Sequence, residues 1–451
     1  NQLSLMDQFF PNLFKLEGEL ARVDEILSDE RFLEPFIKHF HTTCGRPTIP
    51  VDVYIRMMYL KKRYDLGYER LCKEVSDSIS WRIFSHIRLE EKVPDYTTLA
   101  KLTKKYGEKA VEELNSLLME KAHDVKLFRS RKAWVDTTVV ESNFHPPTDA
   151  SLLSDGVRVI TRIVKKVKEI GHGVKAGFSD RTRSIKRRIL SIAKFARTRT
   201  QEAREGVKAK VKEILEITRE VVGSAIKVST MAKAEMAKVK DIQVTRAKRF
   251  VKKLDETISV VEKVIRQTEK VLSGVTSIPD RIVSIFDQKA RPIKRGKAKA
   301  DTEFGRKVVL TESEEKLIIS YKVLDGNPSD KGQAVPAVEK AKEVLGRAPD
   351  EMAADRGFFS KENERDLHEL GVRHVAIPKP GKKSAKRKEF ERQHWFRRLK
   401  RWRSGGEGTI SLMKRRYGLD RCLFRGDDGT GIWVGLSVFA HNLDKLARMT
   451  G

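Results

Sequence analysis

The stretch Lys132-Ala133-Trp134-Val135-Asp136-Thr137-Thr138-Val139-Val140 decides the reading of this chain. It is rich in β-branched and apolar residues and predicts a strand buried on both faces, as in the middle of an α/β sheet. One residue violates the pattern. Asp136 sits inside the apolar run, where an ionised carboxylate is costly unless it is paired or coordinates a cation.

Towards the C-terminus, further strands are predicted from Glu303 to Leu310, Lys316 to Val323, Glu351 to Ala354 and Val372 to Ile377. Helices are predicted from Ala334 to Leu345 and from Lys361 to Leu370. Strands alternating with helices make this an α/β domain. Asp355 follows Met352-Ala353-Ala354 and precedes Arg356-Gly357-Phe358, so it is expected at the carboxyl end of a strand in the same sheet, where α/β sites gather. Further on, Gly405-Gly406 break the chain ahead of Glu407. Ile410, Leu412 and Met413, with Lys414, Arg415 and Arg416, then predict a short basic helix. Glu407 and Lys414 are about two turns apart and share a face of it.

Towards the N-terminus, apolar residues recur at three- and four-residue spacing up to about residue 128, which predicts a helical domain. Thr48 and Pro50 open a helix carrying Val53, Met57 and Leu60; Gly67 is read as its stop, and Tyr68-Glu69-Arg70-Leu71 as the next start. This is the outline of a helix-turn-helix, which an ordinary αα-hairpin shares. Asp95 is predicted to cap a long helix through Leu102, Val111, Leu114 and Leu118.

Between the first and second strands lies a basic helical insert, residues 152–300. Val251, Leu254, Ile258, Val261, Ile265, Thr268 and Leu272 alternate spacings of three and four, as a coiled-coil seam does. Val207, Val211, Ile214, Thr218 and Val221 form a second seam. The two helices are expected to pair as an antiparallel arm, DNA-facing or dimer-forming, with Lys208, Lys210, Lys212, Lys248, Arg249, Lys252 and Lys253 outward. The fold expected is therefore α+β and multidomain: residues 1–128 helical, 129–151 with 301–451 the α/β catalytic domain, and 152–300 the arm.

The 451 residues include 92 Lys+Arg against 63 Asp+Glu, a formal net charge of +29. An excess this large and widely spread points to a polyanion, nucleic acid first, because each cation near a phosphate releases condensed counterions. Cys44, Cys72 and Cys422 are far apart, odd in number and in no ligand spacing, so neither a disulfide framework nor a cysteine zinc site is suggested. No long apolar run and no basic-then-apolar leader occur, so a protein neither membrane-spanning nor secreted is expected, and the cysteine usage fits a reducing cytoplasm. The first residue is Asn1 rather than Met, so a few residues are expected to precede it.

Three carboxylates from two strands and a helix, surrounded by Arg and Lys, suit two Mg²⁺ ions bridged by a scissile phosphate, with Mn²⁺ as a substitute. One ion would polarise the attacking water or 3′-hydroxyl and the other would stabilise the leaving oxygen. Trp395 and Trp402 lie in the basic stretch from Lys379 to Arg403, where they either stack on an unpaired base or pack in the core.

These motifs resemble a known family. Val135-Asp136-Thr137-Thr138, Ala354-Asp355-Arg356-Gly357-Phe358 and the run from Arg403 through Glu407 to Lys414 resemble the three signature regions of bacterial insertion-sequence DDE transposases with a ribonuclease-H-like catalytic domain. The last run is similar to their tyrosine-arginine-glutamate-lysine signature, with Lys400 at the tyrosine position. Gly45-Arg46-Pro47-Thr48 to Ile87, and Pro94 to Leu99, resemble the family's N-terminal region; Asn143 to Leu153 and Phe304-Gly305 resemble the flanks of its insert. The resemblance implies metal-dependent cleavage at terminal inverted repeats, transfer of 3′-hydroxyls into target DNA, and a homodimer holding two ends. It implies Asp136, Asp355 and Glu407 as metal-binding catalytic acids and Arg403 and Lys414 as phosphate contacts, to which Arg356, Lys400 and Trp402 are added as DNA-contact candidates. The competing readings are a structure-specific nuclease or resolvase on the same scaffold, and a silent transposase-derived DNA-binding protein.

Overall fold

The computed structural model describes residues 15–39, 49–129, 131–170, 174–198, 200–236, 242–275, 277–294, 302–424 and 426–450. The chain divides into two compact units, 1–143 with 305–451, and 144–304. Thr48, with the preceding Gly45-Arg46-Pro47, and Cys44 lie outside the described residues. Cys72 and Cys422 are free thiols. Among the described residues no helix is long and apolar enough to cross a membrane.

In the first unit, helices α1 (Gly18–Leu27), α2 (Glu34–Ile37), α3 (Val51–Arg63), α4 (Tyr68–Asp77), α5 (Ile79–Phe84) and α6 (Tyr96–Asp124) precede the sheet. Pro50 sits at the N-cap of α3, where its missing N–H costs nothing. Gly67 does not stop α3, which has already ended at Arg63; with extended backbone it is the N-cap of α4. Asp95 caps α6 by accepting from the Thr97 N–H at 2.8 Å.

His86, at φ 55°, ties these helices together. Its Nδ1 lies 2.6 Å from Asp52 Oδ2 of α3, and its Nε2 lies 3.2 Å from Asp24 Oδ1 of α1. The hydrogen bonds to Asp24 and Asp52 raise the imidazole from 6.5 to about 9. A folded-state value above the unfolded one gives stability that is fully present below about pH 6.5 and is lost as pH rises through about 9. Thermal melts from pH 6 to 9.5 should therefore fall more steeply for the native chain than for His86→Leu; equal slopes would refute the clasp.

The strands are β1 (Lys132–Ser142), β2 (Arg291–Lys294), β3 (Thr302–Ser313), β4 (Ile318–Val323), β5 (Glu351–Ala354), β6 (His374–Ala376) and β7 (Arg421–Cys422). In the first unit they run β4-β3-β1-β5-β6, with β3 antiparallel to both β4 and β1, and β1, β5 and β6 parallel. β7 continues beside the far end of β1, pairing Glu141 with Arg421 and Ser142 with Cys422. Gly305 is needed for space: a Cβ there would stand 2.0 Å from the Val140 carbonyl oxygen.

Helices α11 (Ala334–Leu345) and α12 (Lys361–Glu369) close one side of the sheet around Val338, Leu367 and Met352. On the other side lie α13 (Ala385–Arg392), α14 (His394–Ser404) and α15 (Gly406–Arg416), where Phe396 and Leu399 of α14 pack with Trp134, Ala353 and Ala376. The last helix, α16 (Asp427–Met449), is buried along most of its length from Ile432 to Ala447 and packs against α1, α3, α6 and β4. Asp427 and Asp428 open this helix.

The second unit corrects the expectation of a two-helix arm. Helices α7 (Asp149–Ile170), α8 (Thr182–Phe195), α9 (Gln201–Met236) and α10 (Ile242–Leu272) form a bundle in which α7 packs against both long helices. The two seams do meet, but Leu153, Val157, Ile160, Val164 and Val167 of α7 share their core. Gly156 permits the approach, since a Cβ there would stand 2.7 Å from a Val261 methyl.

Candidate active site

Strand alternation selects the face on which the site forms. Trp134 and Asp136 are two apart on β1 and point the same way, as do Ala353 on β5 and Asp355 just beyond it. The parallel register pairs Trp134 with Ala353 and Val135 with Ala354, so the next step brings Asp136 beside Asp355. Each acid anchors one oxygen on the following residue: the Thr137 N–H donates to Asp136 Oδ1 at 2.7 Å, and the Arg356 N–H to Asp355 Oδ1 at 2.8 Å.

The face carrying both acids is the one covered by α14 and α15. Arg403, in the last turn of α14, reaches all three acids. Its guanidinium lies 3.2 Å from Asp136 Oδ2, 3.8 Å from Asp355 Oδ1 and 3.9 Å from Glu407 Oε1. The Arg403 side chain is 14% exposed and that of Asp136 19%, whereas Asp355 is 51% and Glu407 72% exposed. The site thus has a sheltered floor and an open rim able to admit a large substrate.

Among the described residues no three His, Cys, Asp or Glu side chains are close enough to hold a metal as they stand. The acids meet instead through Arg403, which stands in for a cation. Three carboxylates against one guanidinium leave a formal excess of two negative charges, and an all-oxygen donor set of this kind fits hard divalent cations.

The break expected at Gly405-Gly406 is present: α14 ends at Ser404 and α15 begins at Gly406. Gly405 has a helical φ of −68°, and α15 starts directly after it. Gly406 serves packing, because a Cβ there would stand 2.3 Å from two carbons of the Trp134 indole. That contact docks the N-terminus of α15, and with it Glu407, onto β1. Two further residues of this contact carried no signal in the sequence. Glu312 lies opposite Trp134 on β3 and is buried, and Thr409 Oγ1 donates to its Oε1 at 3.1 Å. A Glu in a strand reads as a solvent-facing residue until its neighbours are known.

The remaining candidates are dispersed. Lys414 shares the Glu407 helix but lies 3.9 Å from Asp420. Arg356 and Lys400 are exposed, and Trp402 is half-buried against the cluster of Trp134, Phe396 and Leu399. Trp395 stacks on His374 with ring centres 4.6 Å apart, and His374 pairs with Glu351. His145, which follows β1 closely in sequence, faces Asp155 at 3.9 Å within the helical unit.

Two family models match the chain. One described as a transposase domain of the DUF772 type covers residues 8–105, and one described as a transposase DDE domain covers residues 276–443. The second contains Asp355 and Glu407, while Asp136 lies between the two matches. No curated protein and no solved structure shows a significant match.

Proposed function

The chain belongs to the insertion-sequence DDE transposases, and from that membership we propose that it cuts DNA at the terminal inverted repeats of a mobile element and joins the freed 3′-hydroxyls to target DNA. The observation that carries this reading is the Arg403 guanidinium within 4 Å of Asp136, Asp355 and Glu407. Three acids far apart in sequence gather around one positive charge, from the middle of β1, the end of the adjacent β5 and the start of a helix. We read the sheet β4-β3-β1-β5-β6 as ribonuclease-H-like, on its strand order and directions.

DDE transposases generally depend on divalent metal. Asp136, Asp355 and Glu407 are the residues that would hold it, and a pair of Mg²⁺ or Mn²⁺ ions would supply an activated nucleophile and charge stabilisation at the leaving oxygen. Asp136 and Asp355, each with one oxygen fixed by a backbone N–H, are pre-set ligands. Glu407, on the exposed rim, adjusts. Arg403 holds the acids together through its own charge, and on release from them its guanidinium is suited to grip a DNA phosphate bidentately. Exposed Arg356 and Lys400, Lys414 on the helix of Glu407 and half-buried Trp402 are the further candidates for DNA contact. A homodimer follows from the need to hold two element ends at once, and the reaction places the protein with DNA in the cytoplasm.

The test is incubation of the full chain with a labelled duplex carrying the element end and a target plasmid, with Mg²⁺ or Mn²⁺. Joined product that disappears on chelation is expected. Cleavage without joining would replace this reading with a nuclease, and binding without either would replace it with a non-catalytic DNA-binding protein.

A further inference from the structure

We propose that Glu312 is a positioning residue for the catalytic acids: from β3 it links the strand of Asp136 to the helix of Glu407, through Trp134 on one side and Thr409 on the other. The proposal rests on the reading of those acids as metal-binding groups. Its geometry is short-range. Trp134 is two residues before Asp136, Thr409 is two residues after Glu407, and Glu312 is the cross-strand partner of the first and accepts a hydrogen bond from the second. The β3–β4 ladder shifts register between Thr311 and Glu312, so the residue also sits at an irregularity that re-aims a side chain.

Stability alone does not account for an acid here. Glu312 is 2% exposed, and its Oε2 is buried without a hydrogen-bond partner. Burial pushes the carboxyl up to about 8, against hydrogen bonding from Thr409 and Trp134 and the charges of Lys316 and Lys445, so at neutral pH the neutral acid dominates. A buried, partly satisfied carboxyl is a stability cost that an apolar side chain of similar size would remove. What an apolar side chain cannot do is accept from Thr409 and fix how far α15 sits from β1. Groups that orient metal ligands from behind are typically worth about 10- to 100-fold in metal affinity or activity.

The test compares wild type, Glu312→Gln, Glu312→Leu, Thr409→Val and the Glu312→Leu/Thr409→Val pair in the full chain. Three quantities are read: melting temperature, Mn²⁺ affinity by electron paramagnetic resonance, and single-turnover cleavage of the DNA end. Glu312→Leu should melt no lower than wild type yet lose on the order of tenfold in Mn²⁺ affinity and cleavage. Glu312→Gln, which keeps the acceptor, should restore both to within about threefold, and adding Thr409→Val to Glu312→Leu should cost little more, because one link is broken twice. Above pH 8 cleavage by wild type should fall relative to Glu312→Gln as the buried carboxylate forms. Wild-type Mn²⁺ affinity in Glu312→Leu, or a loss that Gln does not rescue, would overturn the proposal. A wild-type chain that never cuts DNA yet shows the Glu312 dependence of Mn²⁺ affinity would sink the transposition reading and leave the positioning role standing.

Discussion

Asp136→Asn should lower cleavage of a DNA end by on the order of 10³-fold or more, about 4 kcal/mol of transition-state stabilisation, while leaving the melting temperature and the affinity for DNA nearly unchanged. The substitution keeps the shape of the side chain and its Oδ1 contact with the Thr137 N–H, but removes the charge facing Arg403. Asp136 is the least exposed of the three acids and stands beside Asp355 across parallel strands. It is the acid for which water or a neighbouring side chain can least substitute. Single-turnover cleavage in Mg²⁺ measures the effect, with fluorescence anisotropy reporting binding. Wild-type cleavage by the Asn variant would remove Asp136 from the catalytic set.

Gly406→Ala should damage the site far more than its chemistry suggests, and Gly408→Ala, two residues along the same helix, should not. A methyl group at Gly406 falls 2.3 Å from Trp134 Cε2 and Cζ2, and Trp134 is 1% exposed in a packed cluster, so the indole cannot swing away. Relief has to come from α15 lifting off β1, which carries Glu407 away from Asp136. Overpacking of this kind costs about 1–3 kcal/mol in stability. The loss of cleavage should exceed that, because misplacing a catalytic group by about 1 Å can cost on the order of 100-fold. A Cβ at Gly408 meets nothing within 4 Å, so alanine there should stabilise α15 by up to about 1 kcal/mol through helix propensity and leave cleavage unchanged. Equal cleavage by the two variants would contradict the docking role of Gly406.

Much of this was legible before any coordinates, for reasons that differ by residue. β1 and Asp136 were readable because an acid inside a β-branched run breaks its own pattern. Asp355 was readable from its place after a short apolar strand, and α6 from its Asp95 cap. By contrast, α16 was missed: it is buried along most of its length, so Ile432 to Ala447 lack the apolar stripe by which a surface helix announces itself. The bundle formed by α7 with the two seam helices was missed because a heptad seam does not state how many helices share it.

The sequence alone determined the chemical identity of the candidate site: three acids and their basic neighbours, in an order along the chain that no one of them carries alone. It also determined the alternation of strand and helix, because side-chain periodicity is a local property of the backbone. Only the tertiary structure decided that Arg403 occupies the space among the acids, that Gly406 is also a packing glycine against Trp134, and that Glu312 lies under the helix of Glu407. Arg403 with Asp136, Gly406 with Trp134 and Thr409 with Glu312 are contacts between residues about 90 or more positions apart in the chain, set by strand register and the distance between helix and sheet. Register and interlayer distance are fixed when the layers pack together, and no local stretch of sequence contains them.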